Sequence, residues 1–306
     1  MESQYDIQHR KTVVALGTFD GVHRGHQQLL REVVRMAAAD GLRSLVYTFD
    51  CPPEQWFNQK IQLLTDQASK TRLILALGIE QVICTKFSRE FASISAESFV
   101  KDILVQQLQA RVVVCGFNYR FGHNAEGNAS ILQDLGRRCG FTVKVIPPVM
   151  HGEQPVSSSR IRRAVKEGSV ELAAELLGRH HAYTGKVISG KRLGRRIGFP
   201  TANIDVDPNL ILPKAGAYLT WCFLDESTNY PAMTSVSPDG RIESHLLGFS
   251  GNLYEKIIEV RFLQKLRDWL KLDSSVELQS QLARDFGQAR ELLANYRLQG
   301  HEIVLK

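Results

Sequence analysis

Between Thr12 and Pro148, five short β-rich runs alternate with longer stretches of helical periodicity, and this alternation constrains the fold more than any other feature. The runs are Thr12-Val-Val-Ala-Leu16, Ser44-Leu-Val-Tyr-Thr-Phe49, Gln81-Val-Ile-Cys84, Arg111-Val-Val-Val-Cys115 and Phe141-Thr-Val-Lys-Val-Ile146. His26 to Ala39, Ala68 to Leu77, Ala96 to Leu108 and Asn128 to Cys139 lie between them and place apolar residues at helical spacing. Continuous apolar strands separated by helices make a parallel sheet covered on both faces. The expectation is an α/β, doubly wound, Rossmann-like domain.

The pattern changes after a helical stretch from Ser159 to Leu177. Short alternating strands broken by Gly and Pro follow, among them Ala182 to Ser189, Gly216 to Leu224 and Lys256 to Phe262. Such spacing predicts a small β-barrel or sandwich. A last amphipathic stretch, Ser275 to Arg297, brings Leu278, Leu282, Phe286, Leu292 and Leu293 near one face and predicts a closing helix. A chain of 306 residues is long enough for two domains. The expected division is 1–180 and 181–306, with the boundary near residues 178 to 183.

Composition narrows the functional classes. With 43% hydrophobic and 23% charged residues the chain is neither fibrous nor disordered. Its longest apolar run, Leu73 to Leu77, falls far short of the roughly 20 residues that cross a bilayer, so no membrane partner is expected. Met1 to Arg10 is polar and lacks the apolar centre of a secretory signal, which makes the cytoplasm the expected compartment. The five cysteines include no CxxC pair and no histidine at zinc-ligand spacing.

Gly17-Thr-Phe-Asp-Gly-Val-His-Arg-Gly-His26 joins the first strand to the first helix. Phosphate sites form at this place in α/β folds, where the free N–H groups of a helix N-terminus and its dipole attract anions. Gly17 and Gly21 allow a tight turn and close approach to a ligand. His23 and His26, three residues apart, bring two imidazoles to one spot, where they can donate to phosphate oxygens as charge builds. A strand-to-helix turn with incidental histidines is the competing reading.

GxFDGxHxGH here, Ser157-Ser-Ser-Arg-Ile-Arg162 about 130 residues on, and Gly190-Lys-Arg-Leu-Gly-Arg-Arg-Ile-Gly-Phe-Pro-Thr-Ala-Asn203 after that resemble the bacterial bifunctional riboflavin kinase/FMN adenylyltransferase family, also called FAD synthetase. The resemblance runs along nearly the whole chain. It implies that the first domain is a nucleotidyltransferase making FAD from FMN and ATP, and that the second is a riboflavin kinase making FMN. His23 and His26 would hold the ATP phosphates, with Gly17, Phe19, Asp20, Gly21 and Gly25 around the nucleotide. Ser157, Ser158 and Arg162 would bind the triphosphate. Asn118, in Gly116-Phe-Asn-Tyr-Arg-Phe-Gly122, and Arg160 would meet the flavin; Asn118 stands where the family commonly has Asp, and Pro52 where it commonly has His.

In the second half Gly190 and Gly194 give a basic loop able to fold over phosphates, and Thr201 and Asn203 offer the oxygen ligands that Mg²⁺ accepts. The resemblance assigns both to the metal and phosphate site, with Mg²⁺ arriving with ATP. It makes Glu243 the general base on the riboflavin 5′-hydroxyl. Departures gather here: Ala232 to Gly240 replaces a stretch like GVANIGxRPT, Gly248 replaces an Asp and Glu255 a Gly. An adenylyltransferase with a silent kinase domain, or a flavin- or nucleotide-binding regulator without turnover, therefore stay open as alternatives.

The net charge of +6 has a location. Residues 160–198 hold ten Lys or Arg against three acids, while the remainder of the chain is close to neutral. This segment spans both expected phosphate sites and, with Tyr183 alone, lacks the series of aromatics interleaved among basic residues that base stacking uses, so riboflavin, FMN and ATP are the expected partners and nucleic acid is not. The sequence leaves the oligomeric state open.

Overall fold

The computed structural model describes residues 11–57, 61–190, 194, 198–272 and 274–306. Packing divides the chain into two compact units, 1–157 and 158–306.

The first unit is a five-stranded parallel sheet built from β1 (Thr12–Leu16), β2 (Arg43–Phe49), β3 (Gln81–Thr85), β4 (Ala110–Gly116) and β5 (Thr142–Ile146), in the order β3-β2-β1-β4-β5. All five lie where the apolar runs place them. The central strand β1 is fully buried because its two faces feed two cores. Val13 and Ala15 pack with Leu29, Leu30, Val33 and Ala37 of α1 (Arg24–Asp40). Val14 and Leu16 pack with Val100, Leu104, Leu132 and Leu135 on the other side. Helix ends follow local chemistry: Asp66 caps α2 (Gln67–Leu75) by accepting from Ser69 N, and α1 stops at Gly41 with a left-handed φ of 62°.

Two helical expectations change in detail. Ala96 to Leu108 opens as a short α-turn and continues as α3 (Phe99–Gln107), a π-helix, closed by Leu108 N donating to Ile103 O five residues back. α4 (Ala129–Cys139) matches its prediction, capped by the Asn128 side chain. The stretch from Ser159 to Leu177 is two helices, α5 (Ser158–Glu167) and α6 (Val170–Leu177), because Gly168 takes a φ of +80° that no helix continues through.

The second unit is a closed six-stranded antiparallel barrel. Its strands are β6 (His181–Ile188), β7 (Ala202–Asp205), β8 (Gly216–Phe223), β9 (Asn229–Val236), β10 (Ile242–Leu246) and β11 (Ile257–Asp268), in the order β6-β7-β10-β9-β8-β11. Closure leaves no free edge. α6 packs on β11 and β6, so both helices before the barrel belong to its compact unit, and packing divides the chain ahead of the expected boundary at 180/181. The predicted closing helix exists as α7 (Ser275–Leu293), but it ends four residues early. Residues Tyr296–Gln299 (β12) and Glu302–Leu305 (β13) form a hairpin instead, whose Tyr296 and Ile303 join Ala289 and Leu263 in the core. Among the described residues no helix is long and apolar enough to cross a membrane.

Candidate active sites

In the first unit, the turn between β1 and α1 leaves the carboxyl edge of the sheet at its central strand. Phe19, Gly21 and Val22 all have positive φ, at 51°, 79° and 40°. Two non-glycine residues in the left-handed region within one turn mark a backbone held against its preference. Asp20 and Thr65 supply part of the restraint. The Asp20 carboxylate, 3% exposed, accepts from Leu64 N at 3.0 Å and Thr65 N at 3.2 Å, while Gly21 N donates to Thr65 Oγ1 at 3.1 Å. The expected nucleotide-binding Asp20 thus faces inward and pins the loop.

His23 is the N-cap of α1: its Nδ1 accepts from His26 N at 3.3 Å. An accepting Nδ1 carries no proton, so the neutral ring bears its N–H at Nε2. The two imidazoles stack with centroids 3.6 Å apart, and Phe19 meets His26 edge-on at 5.2 Å. Gly25 makes this possible, since a Cβ there would lie 3.2 Å from His23 Cε1. Gly17 similarly leaves room for the Phe19 ring, 3.0 Å from where a Cβ would be. Asn118 is exposed just past β4, the strand beside β1, at the same sheet edge. Ser157 closes the first unit, and Ser158, Arg160 and Arg162 lie on α5 in the second, both arginines half-buried.

Two features of this edge carry no sequence motif. Lys70, 4% exposed on α2, donates to Phe49 O at 2.6 Å and Thr18 O at 3.4 Å, which ties together the ends of β1 and β2. Burial lowers its amine below the ordinary lysine value, opposed by Cys84, Asp20 and Asp50. Trp56 and Phe57, both exposed, pack edge-on with Phe87 to make an aromatic surface beyond β2. The signal for the first was a lysine on the apolar side of a helix.

In the second unit Asn203 and Glu243 are direct cross-strand partners on β7 and β10. They point away from the barrel interior, which Ala202, Ile204, Ile242 and Ser244 fill. Thr201 Oγ1 donates to Glu243 Oε2 at 3.4 Å, so its lone pairs stay open to another partner. Gly190 sits over Asn203, where a Cβ would come within 2.3 Å of Nδ2. Gly194 is closed onto the start of the same strand, with Phe199 N donating to its carbonyl at 2.9 Å. Lys191, Arg192, Arg195 and Arg196 of this loop lie outside the described residues. The structure therefore brings Gly190, Gly194, Thr201, Asn203 and Glu243 into one place.

Hydroxyl, amide and carboxylate oxygens form a hard-donor set, and Gly190 packs so closely on the Asn203 amide that any side chain at 190 would clash with it. Among the described residues no three His, Cys, Asp or Glu converge on a metal position. Mg²⁺ carried by a nucleotide needs no such cage, so these residues fit it.

The FAD synthetase family model matches residues 6–160 and the riboflavin kinase model residues 177–293. The chain belongs to the bifunctional riboflavin kinase/FMN adenylyltransferase family. Relatives bearing that name include one from Buchnera aphidicola (subsp. Schizaphis graminum), 34% identical over 90% of this chain and 91% of its own. Another, from Escherichia coli K12, is 32% identical over 91% of this chain and 92% of its own. A crystal structure described as a macrolide-efflux protein from Streptococcus pneumoniae superposes with a TM-score of 0.83 at 31% identity, covering 95% of this chain and 97% of that one.

Against the riboflavin kinase/FMN adenylyltransferase pattern, the departures fall on definite places. Ala232, Met233 and Val236 are buried along β9, and residues 237–241 make a tight turn into β10. The changed stretch thus preserves the barrel. Gly248 takes a φ of +77°. Glu255, at +68°, bears a side chain in the left-handed region and pairs with Lys186. Pro52 is buried at the edge of the adenylyltransferase unit.

Proposed function

We propose that this protein phosphorylates riboflavin to FMN in its barrel domain and adenylylates FMN to FAD in its Rossmann-like domain, using MgATP for both, with catalytic domains at 1–180 and 181–306. The observation that carries the reading is the pairing of Asn203 with Glu243, with Thr201 hydrogen-bonded to the carboxylate. The kinase half is where the sequence departs most from its family, and this arrangement has the parts that the transfer requires.

For the kinase reaction, the riboflavin 5′-oxygen forms a bond to the γ-phosphorus, the bond to the β-bridging oxygen breaks, and ADP leaves. Glu243 accepts the hydroxyl proton. Thr201 and Asn203 would hold Mg²⁺, which when bound neutralises charge on the ATP phosphates. Gly190 and Gly194 let the loop backbone approach those phosphates closely.

For the adenylyltransferase, an FMN phosphate oxygen attacks the α-phosphorus and pyrophosphate leaves. No covalent intermediate on the protein is needed, so positioning and charge stabilisation supply the rate. The Nε2–H of His23, fixed by its cap, and the His26 ring stacked on it face the phosphates at the N-terminus of α1, where the helix dipole adds to their effect. Asp20 acts by holding the turn. Ser157, Ser158 and Arg162 bind the triphosphate, and Asn118 and Arg160 bind the flavin.

Incubation of the full chain with riboflavin, ATP and Mg²⁺, followed by chromatography, tests this directly. Both FMN and FAD are expected. FAD from supplied FMN but none from riboflavin would leave only the adenylyltransferase, and neither product would overturn the reading.

A further inference from the structure

Among the described residues, the one that touches the Glu243 carboxylate most closely belongs to no motif. Arg241 lies two positions before it, directly after the stretch where the chain departs from its family. Its Nη1 donates to Glu243 Oε1 at 3.1 Å, and its Nε donates to Asp239 Oδ2 at 2.8 Å. Asp239 in turn accepts from Ser237 Oγ. Since Thr201 donates to the other oxygen of Glu243, the carboxylate is gripped from both sides.

The turn carrying Arg241 is itself braced. Ser237 N donates to Arg241 O at 3.0 Å, Arg241 N returns to Ser237 Oγ at 3.0 Å, and Gly240 supplies a φ of +84°. Asp239, Gly240 and Arg241 line, together with Gly190 and Asn203, a cleft of about 470 Å³. A half-exposed ion pair such as Arg241–Glu243, at 47% and 33% side-chain exposure, contributes little to folding. A single exposed arginine would also wander among rotamers. Here the second anchor on Asp239 holds the guanidinium fork in one geometry, as the planar group permits and a lysine ammonium does not.

We propose that Arg241 is a positioning residue of the kinase reaction, tethered by Asp239 and aiming the Glu243 carboxylate, against Thr201, at the hydroxyl that attacks ATP. This rests on the reading of Glu243 as the general base. The geometry disfavours a primary role for Arg241 as a phosphate anchor, because two carboxylates already engage its fork.

The test uses the full-length protein carrying Arg241→Met, Arg241→Lys, Glu243→Gln, and the double variant Arg241→Met/Glu243→Gln, assayed for riboflavin phosphorylation. Arg241→Met is expected to lower kcat about tenfold, as loosened aim of a catalytic group does. KM for ATP and riboflavin should change less than about twofold, since uniform binding is not what is lost. Arg241→Lys should recover part of the rate. In the Glu243→Gln background, Arg241→Met should cause no further loss, because the group it aims is gone. Thermal unfolding of the same preparations serves as the control for folding of the barrel unit, and FMN adenylation as the control for the rest of the chain. An unchanged kcat in Arg241→Met, a rise in KM for ATP at constant kcat, or losses that multiply in the double variant would overturn the proposal. If Glu243→Gln keeps full kinase activity, the base reading fails and the proposal falls with it. If Glu243→Gln is crippled while Arg241→Met is normal, the proposal alone is refuted.

Discussion

Replacing Gly25 by alanine separates folding from chemistry in the adenylyltransferase site. A Cβ at this position would stand 3.2 Å from Cε1 and 3.3 Å from Nδ1 of His23, so the ring must shift by a few tenths of an ångström. The ring has little room, being 7% exposed, stacked on His26 and hydrogen-bonded to His26 N. Two stability effects oppose one another. Alanine favours a helix over glycine by about 1 kcal/mol, and a weakened N-cap costs about 1 kcal/mol. The residue of these two terms should move Tm by no more than about 4 °C. Catalysis has no such compensation. Misplacement by about an ångström costs roughly a hundredfold, so a few tenths should lower kcat/KM about threefold. The assay is FAD formation from FMN and ATP, with riboflavin phosphorylation in the same sample as control. Wild-type FAD formation with an unchanged Tm would refute the argument that Gly25 exists to make room for His23. A fall in Tm beyond about 10 °C would show instead that the whole turn had failed.

Two further predictions concern folding of the barrel unit. Asp285 on α7, 4% exposed, accepts from Arg267 Nε at 2.9 Å and Nη2 at 2.7 Å, and from Gln281 Nε2 at 2.8 Å. Asp285→Ala strands the guanidinium and should destabilise the unit by about 3 kcal/mol, read as a lower urea midpoint; a change under about 1 kcal/mol would contradict this. His180 has its pKa lowered by burial, partly offset by its hydrogen bond to Ile303 O. A lowered folded value means the unfolded chain takes up the proton first, so this contribution is complete above the ordinary histidine range near 6.5 and is lost as pH falls through it toward the folded value. His180→Gln should flatten the decline in Tm between about pH 7 and pH 5, and an equal slope in both proteins would remove His180 as a cause.

The parallel sheet was legible because its strands are short β-rich runs, from the buried Thr12–Leu16 to the alternating Thr142–Ile146, separated by longer stretches of helical spacing. Barrel strands β7, β9 and β10 were harder to read, since Asn203, Thr234, Ser244 and His245 break up any apolar signal, and their pairing depends on partners distant in sequence. The π-turns of α3 and the break at Gly168 are local adjustments that periodicity does not resolve. The terminal hairpin was hidden because Leu292 and Leu293 continue the helical pattern up to it. Site residues were legible where a motif concentrates them, as at Gly17 to His26. Lys70 and Arg241 escaped because their partners, two backbone carbonyls remote in sequence for Lys70 and two carboxylates on one turn for Arg241, form no motif, and a lysine or arginine taken singly reads as solvated.

The central claim is that two separate chemistries share this chain, and the product pattern of wild type beside His26→Ala and Glu243→Ala tests it most directly. With riboflavin, ATP and Mg²⁺, the wild type should yield FMN and FAD. His26→Ala should accumulate FMN without FAD. Glu243→Ala should make neither from riboflavin yet convert supplied FMN to FAD at the wild-type rate. Loss of both reactions in either well-folded variant, or of neither in both, would contradict the account.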